Sequence, residues 1–148
     1  MRTLDTNVVV RLLIGDDPQQ TPIAERAFLD AIAAGGVYIP DVVLAEVAWV
    51  LRGYELDRLC RFQLLEQLVR TRGVVVDDSD AVIDALEHFR QGGDLADHLI
   101  LARASRAGAL PVLSFEQRFS ARTAVARGLC RRSELDRVPQ RMRELGQS

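Results

Sequence analysis

Apolar residues recur along this chain with two different periods, and the alternation between them predicts the elements. Residues 3–10 are short and β-branched and run into the helical-looking RLLI, which predicts a buried strand ending near Asp5 and passing into a helix. Gly15, Asp16, Asp17 and Pro18 then make a turn. Residues 21–34 carry Ile23, Ala27 and Ala31 at helical spacing, with Phe28 and Ile32 beside them, and close at Gly35 and Gly36. A short extended piece at 37–40 leads to Asp41, an expected N-cap for VVLAEVAWVLR, which stops at Gly53. Residues 56–72 form another amphipathic helix ended by Gly73. The valines at 74–76 predict a buried strand, and residues 79–90 a helix broken at Gly92 and Gly93. Asp94 caps LADHLILARASRAG, and residues 111–115 read as one more strand. Beyond Arg118, Pro139 and the polar end suggest a loop and a frayed tail.

Strands separated by helices imply a parallel sheet with helices on both faces, an α/β fold. With 148 residues, 48% hydrophobic and 27% charged, the chain suits a single domain over residues 1–148, whose part after about 125 is a tail hard to read. No apolar run approaches the roughly 20 residues of a membrane span, and MRTLDTNVVV lacks a signal-peptide pattern, so a cytoplasmic protein is expected. Cys60 and Cys130 are too few and too far apart to suggest a disulfide framework or a metal motif, and each is expected to be a packing residue. All 19 basic residues are Arg. Schiff-base, P-loop and lysine-base enzymes therefore drop out, as does a phospho-acceptor receiver domain, which needs a lysine beside its acids. The net charge of −2 divides unevenly: residues 1–116 hold 11 Arg against 18 acids, residues 117–148 hold 8 against 3. A solvated face is the default reading of that basic tail.

Candidate chemistry lies in carboxylates set among apolar neighbours. Glu46 is the only charge in VVLAEVAWVL, a helix that looks buried nearly all round, where an unpaired carboxylate costs several kcal/mol as an order of magnitude. Asp5 stands at the expected carboxyl end of the first strand, the edge where open α/β sheets bind ligands. Asp97 precedes Leu99, Ile100 and Leu101, with Asp94 three residues earlier on the same face. Such acids, gathered without lysine, call for a hard divalent cation such as Mg²⁺ or Mn²⁺, and phosphodiester hydrolysis is the natural reaction class. Singly, Asp5 could be a cap, Asp94 a cap and Asp97 a first-turn acid favoured by the helix dipole. Trp49 and Tyr54 could stack on RNA bases but read more simply as packing residues. His88 and His98, without ligand-spaced partners, read as surface or packing histidines.

The segments LDTNVVVRLL, VVLAEVAWVLRGY, GGDLADHLILARA and PVLSFEQRF, in that order over roughly residues 1–120, resemble the PIN-domain toxins called VapC. The resemblance implies a three-layer α/β/α fold around a parallel sheet and a metal-dependent endoribonuclease. It implies that Asp5 (with Thr6 and Asn7), Glu46 and Asp97 gather Mg²⁺ and the attacking water, with Asp94 an additional acid. Where the family commonly has Thr-Phe-Asp, this chain has Ser114, Phe115 and Glu116. Ser114 keeps the hydroxyl, and Glu116 keeps the charge on a side chain one methylene longer, so it must fold back to reach the same metal or serve as a helix-start acid. The resemblance further implies a homodimer, an antitoxin protein that blocks the site, and operator DNA bound only through that antitoxin. One of the apolar faces of residues 21–34 and 56–72 would make the dimer contact. The rival reading is a PIN fold that has lost catalysis and acts as a binding scaffold.

Overall fold

The computed structural model describes residues 1–110, 112 and 113. Three short parallel strands, β1 (Arg2–Thr3), β2 (Val37–Ile39) and β3 (Val74–Val76), lie in the order β1-β2-β3. Arg2 faces Val37 and Thr3 faces Tyr38; Val37, Tyr38 and Ile39 face Val74, Val75 and Val76. Parallel neighbours need crossovers, and helices supply them. Helices α1 (Thr6–Ile14) and α2 (Gln20–Ala33) join β1 to β2. Helix α3 (Asp41–Val50), a 3-10 turn (Leu51–Gly53) and α4 (Arg58–Arg70) join β2 to β3. Helices α5 (Ser79–Arg90) and α6 (Leu95–Arg106) follow. The fold class is thus the helix-rich α/β arrangement on a parallel sheet that the alternation predicts.

One core joins these elements. Val9, Leu12 and Leu13 of α1 meet Val37 and Ile39 of β2, Leu44 and Val47 of α3, Leu64, Leu65 and Leu68 of α4, and Val82 and Leu86 of α5. Cys60 is buried in the same core; Cys130 lies outside the described residues.

Four local expectations need correction. The first strand ends before Asp5 and the chain passes into a helix as expected, but the strand is exposed, not buried. Val-Val-Val alone favours extended backbone, but Asp5 sits in the β region and its Oδ1 accepts the Val8 N–H at 3.0 Å, so the helix starts at Thr6 and buries Val9 and Val10. In α2 the buried residues are Ala24, Phe28 and Ala31, and Ile23 points outward. Asp41 is the first helical residue of α3, not its cap; Pro40 holds the cap position, suited to it because the helix start needs no N–H there. Of the strand expected at 111–115, Val112 and Leu113 belong to no regular element and the rest lies outside the described residues.

Candidate active site

The β1–α1 turn and α3 are joined by one polar contact. Thr6, almost fully buried, donates its hydroxyl proton to Glu46 Oε2 at 2.5 Å. Asp5, one residue earlier, is exposed, with Oδ1 engaged by the helix cap. The turn after β1 and the middle of α3 therefore lie side by side, and two of the expected acids belong to one neighbourhood.

Glu46 itself is exposed, which removes the burial argument made for it. The buried stripe of α3 is Leu44, Val47 and Ala48, continued by Leu51 in the 3-10 turn, and it packs toward α1 and α6. Val42, Glu46 and Trp49 fall on the opposite side of the helix. Trp49 is 69% exposed, contrary to the expectation of a core residue, whereas Tyr54 does pack against the core. A continuous apolar run does not distinguish a helix buried all round from one with an uncovered apolar face.

Asp94 caps α6 as expected, its Oδ1 accepting the Asp97 N–H at 3.2 Å. Asp94 is exposed and Asp97 half-buried. The cap holds both acids in the first turn of one helix, and that helix packs on α3 and α5. Ser114 and Glu116 lie outside the described residues. Among the described residues no three His, Cys, Asp or Glu side chains converge closely enough to hold a metal ion. The structure pairs the Asp5–Thr6 turn with Glu46, and Asp94 with Asp97.

A second polar cluster was missed in the sequence. Asp77, directly after β3, accepts from the Tyr38 hydroxyl through Oδ1 and from the Asp41 N–H through Oδ2 at 2.9 Å. Arg103 of α6 donates from Nε to Asp41 Oδ2 at 2.9 Å and places another guanidinium nitrogen 2.8 Å from carboxylate oxygens of both Asp41 and Asp77. Arg106 pairs with Asp78 at 2.9 Å. The Tyr38 hydrogen bond, followed by that of the Asp41 N–H, holds the Asp77 carboxyl below its usual range. Burial raises that of Asp41, against the opposing pull of Arg103, and Asp41 Oδ1 is buried without a hydrogen-bond partner among the described residues. This cluster ties the helix carrying Asp94 and Asp97 to the start of the helix carrying Glu46. Its sequence signal was present: Asp41 and Asp77, like Asp5, each stand within two residues of a strand's carboxyl end.

His88 and His98 stack across α5 and α6 with ring centroids 4.0 Å apart. Their Nδ1 atoms lie 2.9 and 3.1 Å from the carbonyls of Asp84 and Asp94, one helical turn back. They pack the two helices together, as packing histidines do.

A parallel sheet whose strands end in acids, with helices bringing further acids alongside, defines an α/β protein built to offer carboxylates at one edge. The PIN domain family matches residues 3–125, and the chain belongs to that family. No curated protein and no solved structure matches it. PIN domains are typically metal-dependent nucleases, and membership points to nuclease activity in general.

Proposed function

We propose that the chain is an Mg²⁺-dependent endoribonuclease and the toxin of a VapC-type toxin–antitoxin module. The observation that supports this reading is the Thr6–Glu46 hydrogen bond, which ties the turn that carries Asp5 to the helix that carries Glu46 in a chain of the PIN family. The donor set suits a hard cation: only carboxylate and hydroxyl oxygens are offered, and no lysine competes for them. The described acids do not gather into one cluster, and Ser114 and Glu116, outside the described residues, are the candidates to complete the set.

In this reading Asp5 and Asp97 hold Mg²⁺, or Mn²⁺, most directly. Glu46 and Asp94 orient the attacking water, and Thr6 keeps the Glu46 carboxylate in place. Bound there, the ion lowers the pKa of water and stabilises charge on the phosphoryl oxygens. The RNA phosphodiester is opened by in-line attack.

The same reading brings a homodimer, an antitoxin protein that covers the site, and operator DNA contacted only through the antitoxin. No helix among the described residues is long and apolar enough to cross a membrane; a cytoplasmic location belongs to the proposal. So does the extent of one domain over residues 1–148.

The test is RNA cleavage with Mg²⁺ or Mn²⁺ titrated in, comparing wild type with Asp5→Asn and Asp97→Asn, and EDTA as control. Metal-dependent cutting lost in both variants is expected. Undiminished cutting by the variants would refute the assignment. Failure to bind metal, with partner binding intact, would favour the catalytically degenerate scaffold, for which the Ser-Phe-Glu departure speaks.

A further inference from the structure

The uncovered side of α3 carries more than Glu46. Trp49, one turn on, is 69% exposed and makes no aromatic contact among the described residues. Arg52, three residues further in the 3-10 turn, is exposed and forms no ion pair among them. Acid, indole and guanidinium thus follow one another at one-turn intervals over about 9 Å. The positive end of this strip is reinforced from α4: Arg61 has its guanidinium pKa depressed below the ordinary value, first by burial and then by Arg58 and Arg52.

We propose that this face is a substrate subsite for single-stranded RNA, in which the Trp49 indole stacks on a base beside the scissile phosphate and Arg52 pairs with a neighbouring phosphate. The proposal rests on the nuclease reading of Glu46. A nucleotide presents a π-face and an anionic phosphate at short separation, and an exposed indole beside an unpaired guanidinium answers both. A dry protein–protein contact is the poorer fit, because interface cores are depleted of acids and here Glu46 stands exposed one turn from the indole. Stacking requires an unpaired base, so the subsite selects single strands over duplex.

Trp49 is the sole tryptophan, so its fluorescence reports this site alone. In EDTA, to prevent cleavage, a short single-stranded oligoribonucleotide should quench it saturably, and the same oligonucleotide annealed to its complement should quench it far less. Trp49→Ala should weaken binding of the single strand, measured by polarisation of a labelled oligonucleotide, by about 5- to 150-fold. Trp49→Phe should retain most of the affinity, and both variants should melt as wild type does. Arg52→Gln should reduce the slope of log affinity against log salt by about 1. Absent quenching together with unchanged affinity in Trp49→Ala overturns the subsite. So does a variant that sediments as a smaller species while binding RNA normally, since the face would then belong to a second copy of the chain. Wild-type cleavage with Mg²⁺ in either case leaves the nuclease reading standing. Quenching and lost affinity without cleavage under Mg²⁺ or Mn²⁺ would sink the nuclease reading while keeping the RNA subsite.

Discussion

Thr6 lies buried beside an exposed acid, and its side chain has two separable effects. Its methyl packs inside while its hydroxyl holds Glu46. Replacing it with Val keeps the shape and removes the donor. Because Glu46 can turn to water, the expected loss of stability is about 1 kcal/mol. The expected loss of cleavage is larger, about tenfold or more, as for residues that orient a metal's ligands. Thr6→Ser should restore cleavage, measured as kcat at saturating metal. If Thr6→Val cuts RNA at the wild-type rate, Thr6 does not position Glu46. Asp77 gives a second expectation at this scale. Its folded pKa lies below the unfolded value, so the stability it contributes is present above the ordinary carboxylate range and lost as pH falls through the folded value. Glu87, pushed down to about 2 by the Arg90 and Gln91 hydrogen bonds, acts with the same sign, although half-exposed and screened. Asp41, raised by burial, acts with the opposite sign. Asp77→Asn should therefore flatten the decline of melting temperature between pH 5 and the acid limit. An unchanged slope would show that this network does not couple to folding.

At the scale of elements, the tightest backbone approach lies where α2 returns to the sheet. Gly36 has φ +116°, and a Cβ there would stand 2.8 Å from the Gly73 carbonyl oxygen. That carbonyl accepts the Val37 N–H at 2.8 Å, so it cannot move away without loosening the β2–β3 edge. Gly36→Ala should destabilise the fold by about 1–3 kcal/mol, read as a lower urea midpoint with an unchanged slope. Stability equal to wild type would mean that the turn has another conformation. The start of α6 followed from sequence because Asp94 caps locally, a contact three residues long; Asp57 and Asp78 cap α4 and α5 in the same way, unread in the sequence. The burial of β1 and the orientation of α3 did not, because both depend on which neighbours arrive from elsewhere in the chain. In α3 the apolar residues Val42 and Trp49 look like core in a list of residues, and only the packing of α1 and α6 on the other side leaves them uncovered.

For the whole molecule, the proposed metal site would link cation binding to stability. A cation that binds the folded chain alone raises its melting temperature by mass action, by about 2.7 kcal/mol of stability at a hundred times its dissociation constant. Titrated with Mg²⁺ or Mn²⁺, the wild type should therefore melt progressively higher, and Asp5→Asn should respond less. Asn caps a helix as well as Asp does, so the variant should fold normally without metal. A wild-type melting temperature insensitive to both cations would contradict the proposed metal site without any reference to a substrate.

By itself the sequence determined the alternation of strand and helix, the Asp94 cap and the order of motifs that resembles the PIN family, because each is written in residues near one another along the chain. It also placed Asp5, Glu46, Asp94 and Asp97 on their elements. Tertiary structure alone decided that Glu46 is exposed and held by Thr6, 40 residues away in the chain. It alone brought Tyr38, Asp41, Asp77 and Arg103 into one network and left Trp49 facing outward. The physical reason is common to all three: burial and ion pairing are properties of the neighbours a fold assembles, and the period of a single helix does not say which of its faces those neighbours will cover.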